Sequence, residues 1–213
     1  STGRNISSKT LKKKAISFPK PAENEMRLDT CGTGGSHSAK TFNVSTVSSI
    51  LANACGANVV KHGNRAVTSK SGSADLLEKL GINVDMSVET CINTYKGIGI
   101  TFLNARKFHA AMRFAAPVRQ ALGFRTIFNL LGPLANPAYA TCQIIGIFDK
   151  ELTEKICEAL NFLGIKKAMV VSGFDGLDEI SLCSPTKISE LNNGWIKSYV
   201  FNPETIGLST VNR

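Results

Sequence analysis

Fifteen consecutive residues, Lys61 to Asp75, carry three cations (Lys61, Arg65, Lys70), the His62 imidazole, the Asn64 amide, four hydroxyls and two glycines. Apolar residues, Val59-Val60 and Leu76-Leu77, stand on either side. Read as a loop, the stretch is long and polar, and such loops between core elements tend to contact ligands. Gly32-Thr33-Gly34-Gly35 is a second candidate. Placed between a strand and a helix, its glycines allow backbone N–H groups to converge on an anion beside a positive helix end. A plain turn fits those four residues equally well. Thr41, Asn43, Ser45 and Thr46 add hydroxyls and an amide at the mouth of that helix, where phosphate or metal-bound water needs them; one of them can equally serve as the N-cap. Asp178-Glu179 offers two adjacent carboxylates that suit Mg²⁺, which takes few protein oxygens and completes its shell with water and phosphate; a solvated turn is the alternative. Arg119 and Arg125 stand near Asn129, Gly132, Pro133 and Asn136. A guanidinium fork matches a carboxylate, and one of the two arginines can instead form a structural ion pair. His62 is the better placed histidine, whereas His109 reads as structural or as a helix cap. There is no Ser-His-Asp order, zinc spacing or nucleophile elbow. The inventory describes a site that binds a polyphosphate and stabilises a leaving group.

These groups need a scaffold, and the apolar pattern supplies one. Weak strand character at 27–30 runs into the glycine cluster. Val47, Ile50, Leu51 and Ala54 recur at helical spacing, with Gly56 as a stop. A short strand at 58–61, a helix at 73–80 ended by Gly81, a helix at 88–95 and a strand at 98–103 follow. Helix is expected over 108–122, interrupted by Pro117; the 126–131 segment stops at Gly132-Pro133. Then come a strand at 141–148, an amphipathic helix at 151–163, a strand at 168–171, and a hairpin over 187–201 turning at Asn192-Asn193-Gly194. Strands separated by helices imply an α/β fold with a mostly parallel sheet covered on both faces.

The chain has 213 residues, 25 Lys+Arg against 16 Asp+Glu, and a net charge of +9. Such a surplus attracts polyanions. The Lys12-Lys13-Lys14 cluster lacks interleaved aromatics, and the other cations are spread among glycine-rich segments. This favours a small phosphorylated ligand and makes nucleic acid an unlikely partner. No apolar run approaches the roughly 18 residues of a membrane span. Six dispersed cysteines without a C-x-x-C pair read as reduced core residues of a cytoplasmic protein.

Five blocks together resemble the anthranilate phosphoribosyltransferase family: Asp29 through Gly35, Thr41 through Thr46, Lys61 through Asp75, Pro117 through Pro137, and Asp175 through Ser181. The resemblance implies transfer of a phosphoribosyl group from phosphoribosyl pyrophosphate to anthranilate, with Mg²⁺ and release of pyrophosphate. It implies a nucleoside-phosphorylase/phosphoribosyltransferase-like α/β domain with flanking helices at 22–213, usually in a homodimer. Residues 1–21 then stand for the remnant of a small helical domain that is largely missing, and the C-terminal helices are expected to be absent. By the same resemblance Gly32, Thr33, Gly34, Gly35, Thr41, Asn43, Lys61 and Ser73 bind the donor. His62, Asn64, Arg119 and Pro133 line the anthranilate site, and Ser45, Asp178 and Glu179 serve Mg²⁺.

One departure concerns the donor. Where the family continues Asp-Gly after its glycine cluster, this sequence has Ser36-His37-Ser38-Ala39-Lys40, one residue longer. A missing acid beside the ribose or metal predicts weaker donor binding than usual. The rival readings are a nucleoside phosphorylase of the same fold and a non-catalytic relative that binds nucleic acid or another phosphorylated ligand through its basic surface.

Overall fold

Five short segments, rich in β-branched and other apolar residues and each left by glycine or asparagine at its carboxyl end, line up as parallel strands: β1 (Leu28–Gly32), β2 (Val59–Gly63), β3 (Ile100–Asn104), β4 (Cys142–Gly146) and β5 (Lys167–Gly173). A computed structural model describes residues 10, 14–34, 42–65, 71–114 and 126–211; Gly35, Thr41 and Arg119, with the 36–40 segment, fall outside them. The sheet order is β3-β2-β1-β4-β5-β6-β7, with β6 (Thr186–Asn192) and β7 (Trp195–Phe201) added antiparallel. The order reverses at β1, whose neighbours are β2 and β4. In open α/β sheets the crevice at such a switch point, beyond the strands' carboxyl ends, is where ligands bind.

The connecting helices are α1 (Val44–Ala54), α2 (Ser73–Lys79), α3 (Val88–Ile98), α4 (Ala105–Phe108), α5 (Ile127–Leu131) and α6 (Thr153–Phe162). Ser87 caps α3 through its side chain, and Gly99 ends it at φ 73°. The helix therefore runs through Ile98, and β3 starts two residues later than the sequence pattern implied. The expected helix over 108–122 is absent across its described part: α4 is followed by a 3-10 turn at Ala110–Phe114, and the remainder lies outside the described residues. The expected hairpin forms, with Asn193 (φ 48°) and Gly194 (φ 94°) as its two turn residues. Both central residues of the preferred two-residue turn need positive φ, which Asn-Gly accepts at little cost.

On one side of the sheet, α6 buries Ile156, Cys157 and Leu160 against Ile145, Ala168, Val170 and Leu191. A second cluster joins Phe18, Val60, Tyr95, Leu103 and Phe108. Helix α1 departs from expectation. Its apolar stripe, Val47, Ile50 and Leu51, is 38%, 42% and 61% exposed, while Thr46 and Ser49 are buried. Ser49 faces the sheet with its hydroxyl donated to Thr46 O at 2.6 Å, which satisfies it locally, whereas the inward Thr46 hydroxyl is buried without a hydrogen-bond partner among the described residues. Cys55, expected in the core, is exposed just past the end of α1; Cys91, Cys142 and Cys157 are buried, and all six are free thiols. Among the described residues no helix is long and apolar enough to cross a membrane.

At the amino end of β1, the buried Arg27 donates to both carboxylate oxygens of Glu25 and to the carbonyls of Pro19 and Ala138. Tyr95 donates its hydroxyl to the same carboxylate. Its hydrogen bonds with Arg27, above all, hold the Glu25 carboxyl at about 2, and burial with the Glu25 contact pushes the Tyr95 hydroxyl to about 12.

Candidate active site

The polar stretch from Lys61 begins inside the sheet. Lys61 and His62 belong to β2 and are buried, and the connection proper spans 64–72. The strand expected at 58–61 thus continues through Gly63, and the loop reading fails for His62 and Gly63. The Lys61 Nζ donates to Thr30 O at 2.6 Å and lies 3.3 Å from both the Thr30 and Ser45 hydroxyl oxygens. Desolvation lowers the Lys61 pKa, and the charge of Asp29 opposes that shift most strongly. Asp29, fully buried on β1, is shifted up by the same desolvation. One buried ammonium and one buried carboxylate thus stand under the carboxyl end of β1, which suits groups retained for position rather than stability.

Asp29 reaches the other half of the site. Its Oδ1 accepts the backbone N–H of His62 at 3.0 Å, and Oδ2 lies 3.4 Å from Gln143 Nε2. That amide also donates to Pro133 O at 3.0 Å. His62 and Pro133, both acceptor-side candidates, are therefore tied through one carboxylate. His109, set aside by the sequence pattern, stands with its ring 5.1 Å from that of His62 in an edge-on arrangement. It is the C-cap of α4, and burial lowers its pKa, so the imidazole is neutral near pH 7. Nothing in local spacing announces the pair, since one ring comes from β2 and the other follows β3.

Asp178 follows β5, as the sequence suggested, and is fully buried. The turn carrying it folds back over two glycines. A Cβ on Gly32 would sit 3.2 Å from Asp178 Oδ2, and one on Gly146 only 1.8 Å from Asp178 O. Gly32 therefore seats a carboxylate as well as opening the turn. Gly146 is a further site residue that the sequence reading missed; its signal is a glycine closing an otherwise apolar strand. Thr33 spends its N–H on Gly146 O at 2.9 Å, so that donor continues the sheet instead of facing an anion. Gly34 adopts φ 66°, a conformation that favours glycine.

The connection after β2 is pinned to its neighbours. Asn43 is the N-cap of α1, yet its side chain does not cap; Nδ2 lies 3.2 Å from Ser71 Oγ, joining the two polar segments. Asn64 Oδ1 accepts from Arg65 N. Ser73 opens α2 with its Cβ 3.2 Å from where a Gly63 Cβ would be. Arg65 pairs with Glu78 and, at 3.5 Å, with Asp75. This cation of the run is neutralised by the helix that follows it.

Residues 24–213 match the family model described as "Glycosyl transferase family, a/b domain". The chain belongs to that family. Within this glycosyl transferase family it is 54% identical over 181 residues to an anthranilate phosphoribosyltransferase of Desulfatibacillum aliphaticivorans, covering 85% of this chain and 53% of that one. A solved anthranilate phosphoribosyltransferase from Thermus thermophilus superposes with a TM-score of 0.89 at 39% identity, covering 98% of this chain and 61% of the other. The Saccharomyces cerevisiae enzyme in complex with PRPP and Mg gives 0.86 at 31% identity, covering 98% and 57%. The chain spans about half the length of the curated relatives it matches. The resemblance read from the motifs and the parallel α/β architecture both hold.

Among the described residues no three His, Cys, Asp or Glu side chains gather as a metal cage. That is compatible with Mg²⁺, which is commonly held by one or two carboxylates plus substrate phosphates. The donors expected for it, Ser45, Asp178 and Glu179, are all hard oxygens. The close seat of Asp178 on Gly32 puts one of them at the glycine turn. Ser45 also touches the Lys61 ammonium, whose charge is offset by Asp29 and Glu179.

Proposed function

We propose that the protein transfers the phosphoribosyl group of phosphoribosyl pyrophosphate to the amine of anthranilate. The bond from ribose carbon 1 to the pyrophosphate oxygen breaks, the carbon–nitrogen bond forms, and the amine gives up a proton. Carbon 1 becomes cation-like as pyrophosphate departs, so the protein has to neutralise the leaving group and aim the amine. Gly32, Thr33, Gly34, Gly35, Thr41, Asn43, Lys61 and Ser73 take the donor side. Lys61 supplies the positive charge, and Asn43, linked to Ser71, holds the two polar segments together. His62, Asn64, Arg119 and Pro133 take the acceptor side, with the Arg119 fork for the anthranilate carboxylate. Held by Ser45, Asp178 and Glu179, Mg²⁺ would neutralise charge on the departing pyrophosphate.

The observation that supports this reading best is the contact between the Asp178 carboxylate and Gly32. It sets a candidate metal ligand against the turn assigned to the phosphates. We place the reaction in the cytoplasm and the working form as a homodimer, which sedimentation checks. The deciding assay follows anthranilate fluorescence on adding phosphoribosyl pyrophosphate and Mg²⁺. Loss of fluorescence that requires both additions supports the assignment. Unchanged fluorescence, with a salt-sensitive mobility shift of single-stranded DNA, would transfer it to the nucleic-acid reading.

A further inference from the structure

The sheet ends at β7, which pairs with β6 on one side and, among the described residues, with no strand on the other. Proteins usually guard such an edge with charges, proline, a bulge or a very short strand. β7 reads Trp-Ile-Lys-Ser-Tyr-Val-Phe, with a single charge and no proline, and its register with β6 is unbroken over seven residues. Trp195 is 84% and Val200 53% exposed along it. The direction of its backbone groups follows from the hairpin. Asn193 donates its N–H to Lys166 O at 2.7 Å, toward β5, so the carbonyl of Asn192 turns the other way, toward β7. The direction alternates residue by residue in an antiparallel ladder. Trp195, Lys197, Tyr199 and Phe201 therefore spend their backbone groups on Asn192, Glu190, Ile188 and Thr186. Those of Ile196, Ser198 and Val200 point outward, past the edge of the sheet.

We propose that β7 pairs antiparallel with β7 of a second copy of this chain, about a two-fold axis at Ser198, so that one sheet runs through both. A two-fold contact uses the same patch on both partners and must be complementary to itself. β7 meets that condition. With the axis at Ser198, this residue faces its own copy, Ile196 faces Val200, Lys197 faces Tyr199 and Trp195 faces Phe201. Every outward N–H and C=O then meets an outward partner. The side-chain pairs are aliphatic, cation on aromatic, and aromatic on aromatic, which favour antiparallel pairing, and no like charges stand directly opposite. An axis at Ile196 or Val200 would leave part of the strand unpaired, and one at Lys197 or Tyr199 would oppose residues whose groups already bond β6. The Ser198 hydroxyl is held on the α6 side, 2.9 Å from the Ser189 hydroxyl and 3.4 Å from Glu154 Oε2, so the contact rests on backbone and on the flanking side chains.

Sedimentation equilibrium of the full chain, joined to amide hydrogen exchange read by NMR, tests the pairing. The expected result is a dimer in which the Ile196, Ser198 and Val200 amides exchange fast in dilute protein and become protected as concentration rises. The Lys197 and Tyr199 amides, bonded to β6, stay protected throughout. Val200→Pro removes an outward donor while leaving the β6 ladder whole, since an edge strand accepts proline where its N–H faces solvent. It should weaken association roughly tenfold or more, because the two-fold axis doubles each lost hydrogen bond. Val200→Lys keeps the N–H but sets a cation against the apolar Ile196 of the second copy, and should weaken association to a similar degree. It also decides the matter if circular dichroism shows the proline variant unfolded. A monomer at every concentration overturns the proposal. So does a dimer whose outward amides stay unprotected, or whose affinity a folded variant leaves unchanged; that result keeps the homodimer and moves it to another surface. The transfer reaction, read by anthranilate fluorescence, stands apart from each of these outcomes.

Discussion

Gly146→Ala is the smallest change that separates the carboxylate turn from the glycine turn beneath it. The added methyl would meet Asp178 O at 1.8 Å, whereas a carbon and a carbonyl oxygen rarely approach closer than about 3.3 Å. By that comparison the partners must part by about 1.5 Å. The contacted atom is backbone, so no side-chain rotation relieves it, and the turn that carries Asp178 and Glu179 is the segment free to yield. Displacements of about 1 Å at a reacting centre cost on the order of 10²-fold in rate, so turnover should fall by about that factor or more. The Mg²⁺ concentration for half-maximal activity should rise, and calorimetry should record weaker Mg²⁺-dependent binding of phosphoribosyl pyrophosphate. Gly97→Ala is the control: it lies in α3 with nothing within 4 Å of a new Cβ, and should leave both readouts unchanged. Folded Gly146→Ala protein with the parent's Mg²⁺ dependence would refute the claim that this seat positions the metal ligands.

Acid should unfold the protein partly through Glu25, whose carboxyl is lowered from 4.5 to about 2. Its contribution, at most about 3 kcal/mol by linkage and smaller after solvent screening, is complete above the unfolded value and lost as pH falls toward 2. Glu25→Gln should flatten denaturation midpoints across that window, and an unchanged slope counts against the assignment. Asp29→Asn turns an acceptor into a donor facing either His62 N–H or the Gln143 amide; anthranilate affinity should drop by roughly tenfold with a much smaller change for the donor, and equal losses on both sides would contradict the link. Arg65→Ala should change donor affinity by no more than about twofold, since its partners already neutralise it; a tenfold loss by calorimetry would return Arg65 to the phosphate site.

Much of the scaffold was legible because its signals are local. The Asn193-Gly194 turn, the Gly81 stop and the strand before Asp178 each rest on a few adjacent residues. Element edges slipped where caps outweighed apolar runs, as when α3 persisted to Gly99. The failures are long-range. The apolar stripe of α1 promised a buried face, yet Thr46 and Ser49 turned inward; the Ser49 hydroxyl is satisfied within its own helix, while the stripe's partner is not encoded nearby. His62 and Gly63 sat in a polar run whose local character says loop, while their pairing with β3 makes them strand. The need for Gly146 arises from a turn more than thirty residues later, and the His62–His109 contact from two strands meeting. No window of sequence contains either.

The self-satisfied state of Lys61 has a consequence for selectivity. Its ammonium already holds the Thr30 carbonyl and approaches two hydroxyls, so an arriving anion must displace existing acceptors instead of meeting a bare charge. Binding there is an exchange, with a threshold. Weakly basic, singly charged solutes such as chloride gain too little to unseat the lysine, while a dense multiply charged group gains enough. With Lys61 on the donor side as proposed, a resting site built this way would reject the commonest cellular anions by thermodynamics.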